Sequence, residues 1–161
     1  MKTYAYAALE QGSTLVPYTL ERRELRHDDV NIEILYSGVC HSDLHMAKND
    51  WGRTVFPLVP GHEIVGKVIA IGKDVNKFKI GDHVAVGTFV DSCMHCDQCH
   101  KGEEHMCREI LTETYNGQDR MTGENTAGGY AKHIVVKEHF VLHVPDRLDL
   151  SRVAPLLCAG I

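Results

Sequence analysis

The feature that most constrains the fold of this chain is a cluster of four cysteines with the spacing Cys93-x2-Cys96-x2-Cys99-x7-Cys107. The surrounding stretch, residues 91–108, is polar and lacks the apolar side chains that a core of its own would need. This spacing lets four thiolates converge on one ion in a tetrahedron, with each sulfur at about 2.3 Å. Zinc is the expected ion, and because four thiolates leave no open coordination position, the site is predicted to be structural. Structural zinc sites contribute about 10–16 kcal/mol of apparent binding free energy, which is enough to order such a loop.

Two other interpretations of the cluster remain open. Free or buried thiols are one, although such cysteines rarely lie at two-residue gaps in a polar loop. An iron–sulfur cluster is the other, since it also uses four closely spaced cysteines. Three histidines share the stretch, His95, His100 and His105. Because four thiolates already complete a tetrahedral site, we interpret these histidines as solvated loop residues rather than ligands.

Composition favours an ordinary globular domain and excludes several classes of partner. Of the 161 residues, 43% are hydrophobic and 24% are charged, and 14 glycines with 5 prolines are too few for a disordered or fibrous chain. The 17 Lys and Arg against 22 Asp and Glu give a net charge of −5, and no basic stripe is present. We therefore expect no nucleic-acid partner.

The sequence contains no recognisable membrane-spanning segment or signal peptide. No window approaches the roughly 20 apolar residues that a membrane span needs, and residues 1–12 contain no apolar core of signal-peptide length. We therefore expect no membrane partner and a cytoplasmic location. Reducing conditions there favour thiols or metal ligands over disulfides for the six cysteines.

Short β-strand patterns dominate the fold prediction. Alternating or β-branched apolar runs predict strands at residues 30–36, 64–71, 84–86, 134–136 and 140–144. Two short helices are predicted at residues 41–47 and 151–157, the second with Ser151 as its N-cap. Strands of this length and spacing predict a mainly β, partly closed antiparallel fold. We expect a single domain over residues 1–161.

The remaining two cysteines, Cys40 and Cys158, lie far apart in the sequence. Cys40 opens the run Cys40-His41-Ser42-Asp43-Leu44-His45, Gly61-His62-Glu63 precedes the strand at residue 64, and Cys158 lies in Leu157-Cys158-Ala159-Gly160. Taken alone, each cysteine would be interpreted as a small core residue. A core turn, however, does not need a thiol, two imidazoles, a hydroxyl and a carboxylate within six residues.

This combination of motifs, in this order, resembles the zinc-dependent medium-chain alcohol dehydrogenases, and most of all their cinnamyl-alcohol-dehydrogenase branch. The resemblance covers essentially the whole chain. It implies a GroES-like, partly open β-barrel with short helices and a zinc-binding lobe at about residues 91–108. It also implies two Zn²⁺ ions per chain, the structural one held by Cys93, Cys96, Cys99 and Cys107.

The second, catalytic zinc is implied by the resemblance to be held by Cys40, His62 and Cys158, with Glu63 beside the metal as an alternate ligand. Two thiolates and one imidazole leave a fourth position open, as a catalytic zinc requires. There the ion polarises an aldehyde oxygen or lowers the pKa of an alcohol. The implied substrate is therefore a small-molecule alcohol or aldehyde.

The resemblance assigns roles to the residues that follow Cys40. Ser42 and His45 match the family's proton relay. Asp43 matches a carboxylate that hydrogen-bonds the ligand histidine, and a first-turn acid favoured by the helix dipole is the alternative. His41 matches a position that faces the cofactor's phosphates, and an exposed first-turn histidine is the alternative.

Aromatic residues are the candidates for the substrate cleft, because they suit an aryl aldehyde. Trp51, just past the predicted helix, is the first of them, with a core-capping role as the alternative. Tyr115 and Met121, in the loop after the cysteine cluster, are weaker candidates.

The family's hydride carrier, NADP or NAD, binds a Rossmann domain with a Gly-rich turn. No G-x-G-x-x-G occurs in this sequence, which ends at Ile161, so we expect the Rossmann domain to be absent. The branch resembled favours NADP. We expect the chain alone to be inactive as a dehydrogenase, because nothing positions a nicotinamide. We also expect self-association through the apolar surface left by the missing domain.

Two other function classes are considered. A non-catalytic zinc-binding structural or interaction module with a GroES-like barrel would need only the four clustered cysteines. The joint presence of Cys40, His62, Cys158, Ser42 and His45 argues against it. A zinc hydrolase would use the same open metal position, but hydrolase sites favour histidine and carboxylate ligands over two thiolates.

Overall fold

The structure, a computed structural model, describes all residues from 1 to 161. Its strands are β1 (Lys2–Ala7), β2 (Val16–Glu21), β3 (Asp29–Ser37), β4 (Ile64–Ile71), β5 (His83–Val86), β6 (Phe89–Asp91), β7 (Thr112–Glu113), β8 (His133–Lys137) and β9 (Leu142–His143). Its α-helices are α1 (His41–Lys48) and α2 (Leu150–Val153). Single 3-10 turns lie at Cys99–Lys101, Glu104–Met106, Glu138–Phe140 and Ala154–Leu157. No helix has the length and apolar character that crossing a membrane demands.

The centre of the fold is a five-stranded antiparallel sheet in the order β8-β3-β4-β5-β9. A hairpin of β1 and β2 lies beside it, joined through a bridge between Ala5 and Ala131, and β6 pairs with β7 next to the cysteine cluster. The sheets do not close into a complete barrel. This architecture confirms the predicted mainly β, partly open fold.

The centre of the core is built on β3 and β4, the two longest strands. Successive side chains of a strand point to opposite faces, so Val30 and Ile32 of β3 lie on the same face and both are fully buried. They pack with Ile64 and Val68 of β4 in one cluster of 13 buried apolar residues. Full burial of one such side chain stabilises the fold by about 1.5–3 kcal/mol.

The register of these two strands also brings the candidate site together. Ser37 at the end of β3 pairs with Ile64 at the start of β4, and the N–H of Gly38 donates to the carbonyl of Glu63 at 2.8 Å. The residues that follow β3 and those that precede β4 therefore meet at one end of the sheet. Cys40 and His62 belong to these two flanking segments.

The structure corrects several sequence predictions. The run at residues 140–144 contains a strand only at Leu142–His143, because Phe140 closes a 3-10 turn. The last predicted helix begins one residue earlier, at Leu150, and its N-cap is Asp149, whose side chain accepts from the Ser151 N–H. That helix ends at Val153 and continues only as a 3-10 turn.

Four strands were missing from the prediction, namely β1, β2, β6 and β7. In β1 the buried face holds Thr3, Ala5 and Ala7, whereas the large Tyr4 and Tyr6 face outwards. Hydrophobic alternation, which is the main sequence signal for a half-buried strand, is therefore inverted in this segment.

Candidate metal centres and active site

Local backbone geometry sets Cys40 and His62 at the edge of the sheet. Cys40 is the N-cap of α1 and has extended backbone angles, with φ −98° and ψ 152°. His62 follows Gly61, which has φ +101° and packs so closely that a Cβ there would lie 2.7 Å from the Tyr130 ring. Only glycine adopts this conformation without strain. The turn before β4 therefore directs His62 towards α1.

Cys158 reaches the same place from the far end of the chain. It follows the 3-10 turn Ala154–Leu157, and the N–H of the next residue, Ala159, donates to Glu63 Oε1 at 2.7 Å. Glu63 is fully buried, while its Oε2 has no hydrogen-bond partner. Glu63 thus fastens the segment that carries Cys158 to the strand that follows His62.

The structure brings Cys40, His62 and Cys158 together, with their ligand atoms within 4.8 Å of one another. The two sulfurs are 3.7 Å apart, far beyond the roughly 2.05 Å of a disulfide bond. Two sulfurs bound at about 2.3 Å to one tetrahedral zinc lie about 3.8 Å apart. His62 Nε2 is buried and has no hydrogen-bond partner. An orphaned imidazole nitrogen beside two closely spaced thiols fits a metal ion.

Several acidic groups lie close together around Cys158. Burial, together with the neighbouring Cys40 thiol, raises the pKa of the Cys158 thiol to about 11. The carboxylates of Glu63 and Asp43 add to that rise, because each opposes a further negative charge. A bound cation would offset this crowding.

Asp43 lies at the centre of the surrounding hydrogen bonds. Its carboxylate is buried and accepts the Cys40 N–H at 2.9 Å, the Gly61 N–H at 3.0 Å and the Tyr130 hydroxyl at 3.3 Å. Its distance to His62 Nδ1 is 3.8 Å, longer than a hydrogen bond. In this structure Asp43 therefore fixes the two backbone segments that carry the candidate ligands, rather than the imidazole itself.

Two tyrosines support this arrangement. The Tyr115 ring stacks on the His62 imidazole, with centroids 5.4 Å apart and planes inclined by 8°. Burial raises the pKa of both Tyr115 and Tyr130, so both hydroxyls stay protonated at neutral pH. Sequence reasoning made Tyr115 only a weak candidate for the cleft and assigned no role to Tyr130. A tyrosine two residues beyond Gly128 carries no local motif that would have revealed it.

A cavity of about 190 Å³ opens beside the three candidate ligands. Ser42, Trp51 and Tyr115 line it together with His62 and Cys158. Met121 does not line this cavity, and 75% of its surface is exposed.

The two proposed relay residues, Ser42 and His45, lie at different distances from the candidate metal ligands. The Ser42 hydroxyl is 3.5 Å from Cys40 Sγ, at the metal end of the cavity. His45 lies one turn further along α1, where Nδ1 bonds Asp50 Oδ2 at 2.7 Å and the ring is tilted by 34° against that of Trp51. His41 is exposed, and its ring centroid is 4.6 Å from that of His45. The helix thus presents Ser42 inwards and both histidines towards its outer side.

The four clustered cysteines converge in the same manner. Their sulfurs lie within 4.8 Å of one another, with 3.8 Å between Cys93 and Cys99 and 3.5 Å between Cys96 and Cys99. Hydrogen bonds from the Arg108 and Cys99 backbone lower the pKa of the Cys96 thiol to about 6. Both sulfur–sulfur distances are close to the roughly 3.8 Å that separates two sulfurs bound to one tetrahedral zinc.

Of the three lobe histidines, His95 has partners of its own. Its Nδ1 is 2.7 Å from the Cys93 carbonyl oxygen, and its Nε2 is 2.7 Å from Glu109 Oε1. Both side chains are exposed, so this contact is a surface ion pair that competes directly with any ligand role.

Comparison with known proteins assigns the family. Residues 26–146 match the family described as "Alcohol dehydrogenase GroES-like domain". The chain belongs to this family, which confirms the resemblance inferred from the motifs.

Several individual relatives are similar to this chain over nearly its whole length. The chain is 52% identical over 156 residues to the protein of Oryza sativa subsp. japonica named "Probable cinnamyl alcohol dehydrogenase 8B", covering 97% of this chain and 35% of that protein. It is 48% identical to a Medicago sativa protein named "Probable mannitol dehydrogenase", covering 100% of this chain and 44% of the relative. The crystal structure of the Helicobacter pylori cinnamyl alcohol dehydrogenase complexed with NADP(H) matches with a TM-score of 0.96 and 41% identity, covering 100% of this chain and 46% of that one. The chain thus spans less than half the length of these proteins.

Proposed function

We propose that this chain is the zinc- and substrate-binding domain of an NADP-dependent alcohol dehydrogenase or aldehyde reductase, occupying residues 1–161 with its structural zinc lobe at about residues 91–108. The observation that supports this most strongly is the convergence of Cys40, His62 and Cys158 beside a cavity, with a sulfur–sulfur distance of 3.7 Å and an orphaned His62 Nε2. A module with only a structural zinc would have no use for this second constellation.

The residues of the site would have two roles, metal binding and proton exchange. The thiolates of Cys40 and Cys158 and the Nε2 of His62 would hold the catalytic zinc. When bound, this ion supplies Lewis acidity that polarises an aldehyde oxygen or lowers the pKa of an alcohol. Ser42 lies within the cavity and exchanges the proton of the substrate hydroxyl.

The proton path continues along α1. His45 lies outside the cavity lining, and its bond to Asp50 orients the ring so that one nitrogen is fixed and the other is free to exchange a proton with solvent. Asp43 holds the backbone at Cys40 and Gly61, which keeps the two ligand-bearing segments in register. Glu63 fastens the Cys158 segment through its bond from the Ala159 N–H, and it is proposed as an alternate ligand.

The cavity wall points to the kind of substrate. Trp51 and Tyr115 present flat apolar faces that exclude water and suit an aryl or other compact primary aldehyde. Arg53 and Glu113 form a two-bond ion pair, at 2.7 and 3.0 Å, on the same wall. The substrate class proposed is therefore a primary alcohol or aldehyde of cinnamyl or benzyl size.

The cofactor and cellular setting complete the proposal. NADP is proposed as the hydride carrier of the whole protein, supported by the NADP(H) complex of the Helicobacter pylori relative, with His41 proposed to face its phosphates. The cytoplasm is proposed as the location because all six cysteines are free thiols. We propose small molecules as the only partners besides a second copy of the chain, which would associate through exposed apolar surface.

A chimera tests the proposed activity. This chain replaces the matching N-terminal part of the Helicobacter pylori relative, and NADPH oxidation is followed with cinnamaldehyde. The chimera is expected to reduce the aldehyde, and a matched Cys40→Ser, Cys158→Ser chimera is expected to lose nearly all activity. A folded, cofactor-binding chimera that is inactive would refute the dehydrogenase proposal.

The chain alone gives two further tests. It is expected to show no steady reduction of cinnamaldehyde or benzaldehyde with NADPH, and turnover by the chain alone would contradict this expectation. Light scattering is expected to show a mass above 18.0 kDa that rises with concentration. A constant monomer mass at high concentration would contradict the proposed self-association.

A further inference from the structure

Arg22 is a buried cation that the proposed chemistry does not use. It directly follows β2, and only 8% of its surface is exposed. Its guanidinium donates to three backbone carbonyls more than a hundred residues away, those of Ala127, Gly128 and His133. The His133 and Gly128 bonds are 2.8 and 2.7 Å long. A buried guanidinium that is bonded to carbonyls instead of a carboxylate carries a large desolvation cost. We therefore asked which part of the fold depends on these bonds.

The segment held by Arg22 in turn holds the backbone before His62. The N–H groups of Gly128, Gly129 and Tyr130 donate to the carbonyls of Val59, Gly61 and Pro60, at 2.8, 2.8 and 2.9 Å respectively. The two segments approach so closely that a Cβ on Gly128 would collide with the carbonyl oxygens of residues 60 and 61.

The same segment reaches the other candidate ligand through Asp43. The Tyr130 hydroxyl donates to Asp43 Oδ2, which also accepts the Cys40 N–H, while Oδ1 accepts the Gly61 N–H. We call residues 127–130 the brace. Arg22 binds the first two carbonyls of the brace, the N–H groups of the brace bond the backbone at residues 59–61, and the Tyr130 hydroxyl bonds the Asp43 carboxylate.

We propose that Arg22 is a positioning residue that fixes the zinc ligand His62 through the brace. This inference rests on the proposed role of Cys40, His62 and Cys158 as a zinc site. Without the guanidinium, the carbonyls of residues 127 and 128 lose their donor in a buried place, and such groups recover a partner only if the backbone moves. Movement of the brace shifts Gly61, and with it the direction in which His62 points.

Arginine suits this position for a geometric reason. Its planar fork offers five N–H donors, so one side chain spans three carbonyls at fixed angles. Lysine carries the same charge on a single nitrogen and cannot span them. The charge-conserving Arg22→Lys variant therefore separates the geometric role of Arg22 from its charge.

Zinc affinity at each site is the decisive measurement, because supporting contacts around a metal typically change its affinity 10–100-fold. Zinc is titrated against a competing chelator in the whole chain with Arg22→Met, Arg22→Lys and Gly128→Ala, the last of which disturbs the contact of the brace with Pro60 and Gly61. Arg26→Met is the matched control, because Arg26 comes from the same segment but pairs with Asp119. Parallel variants in a Cys40→Ser, Cys158→Ser background report the four-cysteine lobe alone.

The expected result is at least a tenfold loss of affinity at the Cys40–His62–Cys158 site in the two Arg22 variants and in Gly128→Ala. The four-cysteine lobe and the Arg26→Met variant are expected to stay within about threefold of the parent. Cobalt substitution adds a spectroscopic readout, and the visible bands of the mixed site are expected to shift in Arg22→Lys.

Two outcomes would overturn the inference. One is unchanged affinity and an unchanged cobalt spectrum in Arg22→Lys and Gly128→Ala. The other is an equal loss at both zinc sites, which is the signature of general destabilisation. If the parent chain binds no second zinc, it is the proposed function that fails, and this result is distinct from both.

Discussion

Removal of the Asp43 charge is the perturbation with the largest expected effect per atom changed. The buried carboxylate accepts two backbone N–H groups, from Cys40 and Gly61, and one hydroxyl, from Tyr130. In Asp43→Asn one carbonyl oxygen remains, and the new amide NH₂ must face one of the two N–H donors. One buried N–H then loses its partner at a cost of about 1–3 kcal/mol, and the remaining bonds lose the strength that charge gave them.

The sum is a loss of about 2–4 kcal/mol in the free energy of unfolding for Asp43→Asn. Asp43→Ala orphans both N–H groups, and its expected loss is about 3–6 kcal/mol. These are large fractions of the 5–15 kcal/mol that typically stabilises a domain. Urea denaturation at a fixed, buffered free zinc concentration measures both values.

Two controls make this prediction refutable. Asp146→Asn removes a carboxylate whose side chain is 99% exposed, and its expected effect lies within about 0.5 kcal/mol. Repeating the series in the Cys40→Ser, Cys158→Ser background removes any contribution from zinc bound at the mixed site. A loss below 1 kcal/mol for Asp43→Asn in both backgrounds would show that Asp43 does not hold the two ligand-bearing segments.

Three further predictions concern the core, the acid response and the lobe. Ile32→Val removes one methyl group from the fully buried core and is expected to cost about 1 kcal/mol by urea denaturation, and a cost above 3 kcal/mol would contradict simple cavity formation. Although burial opposes ionisation of Asp119, its bond from Arg26 and nearby N–H groups lower its folded-state pKa below the ordinary value. The stability that Asp119 contributes is therefore present above about pH 4 and lost as the pH falls through the folded-state pKa, so the wild type and Asp119→Asn converge in acid. A gap that stays constant down to pH 2 would refute this sign. Cys96→Ser is expected to make residues 91–108 the first site of limited proteolysis, and unchanged cleavage would show that zinc does not order the lobe.

The β3 and β4 strands and the helix α1 follow from the sequence because their signals are local. Strand β4 was predicted with its observed bounds, since a β-branched run ending in glycine has few alternative structures. The hairpin of β1 and β2 was not predicted, because Tyr4 and Tyr6 place large apolar rings on the outer face. Outward tyrosines hide the alternation on which strand prediction depends.

The candidate ligands also follow from motifs, but the contacts that position them do not. The spacing of Cys93, Cys96, Cys99 and Cys107 is itself a local signature of a metal site. In contrast, the stacking of Tyr115 on His62 and the bond from Tyr130 to Asp43 join residues more than fifty positions apart. Such contacts depend on how the sheets pack, which no short window of sequence encodes.

Arg22 shows the same limit most clearly. In the sequence it is one of several arginines in a charged stretch, and its burial depends on a segment that begins at residue 127. Most arginines in proteins are exposed to solvent, so nothing in the local sequence distinguishes the buried Arg22 from the exposed Arg152. Tertiary structure alone identifies it.

Zinc content per chain, measured by elemental analysis, tests the central claim most directly. The wild type and the Cys40→Ser, Cys158→Ser double variant are compared after removal of loosely bound metal, and neither cofactor nor substrate is needed. The account predicts two zinc ions in the wild type and one in the variant, which keeps the four-cysteine lobe. One zinc in both proteins would contradict the account and would favour a structural module that never used its second site.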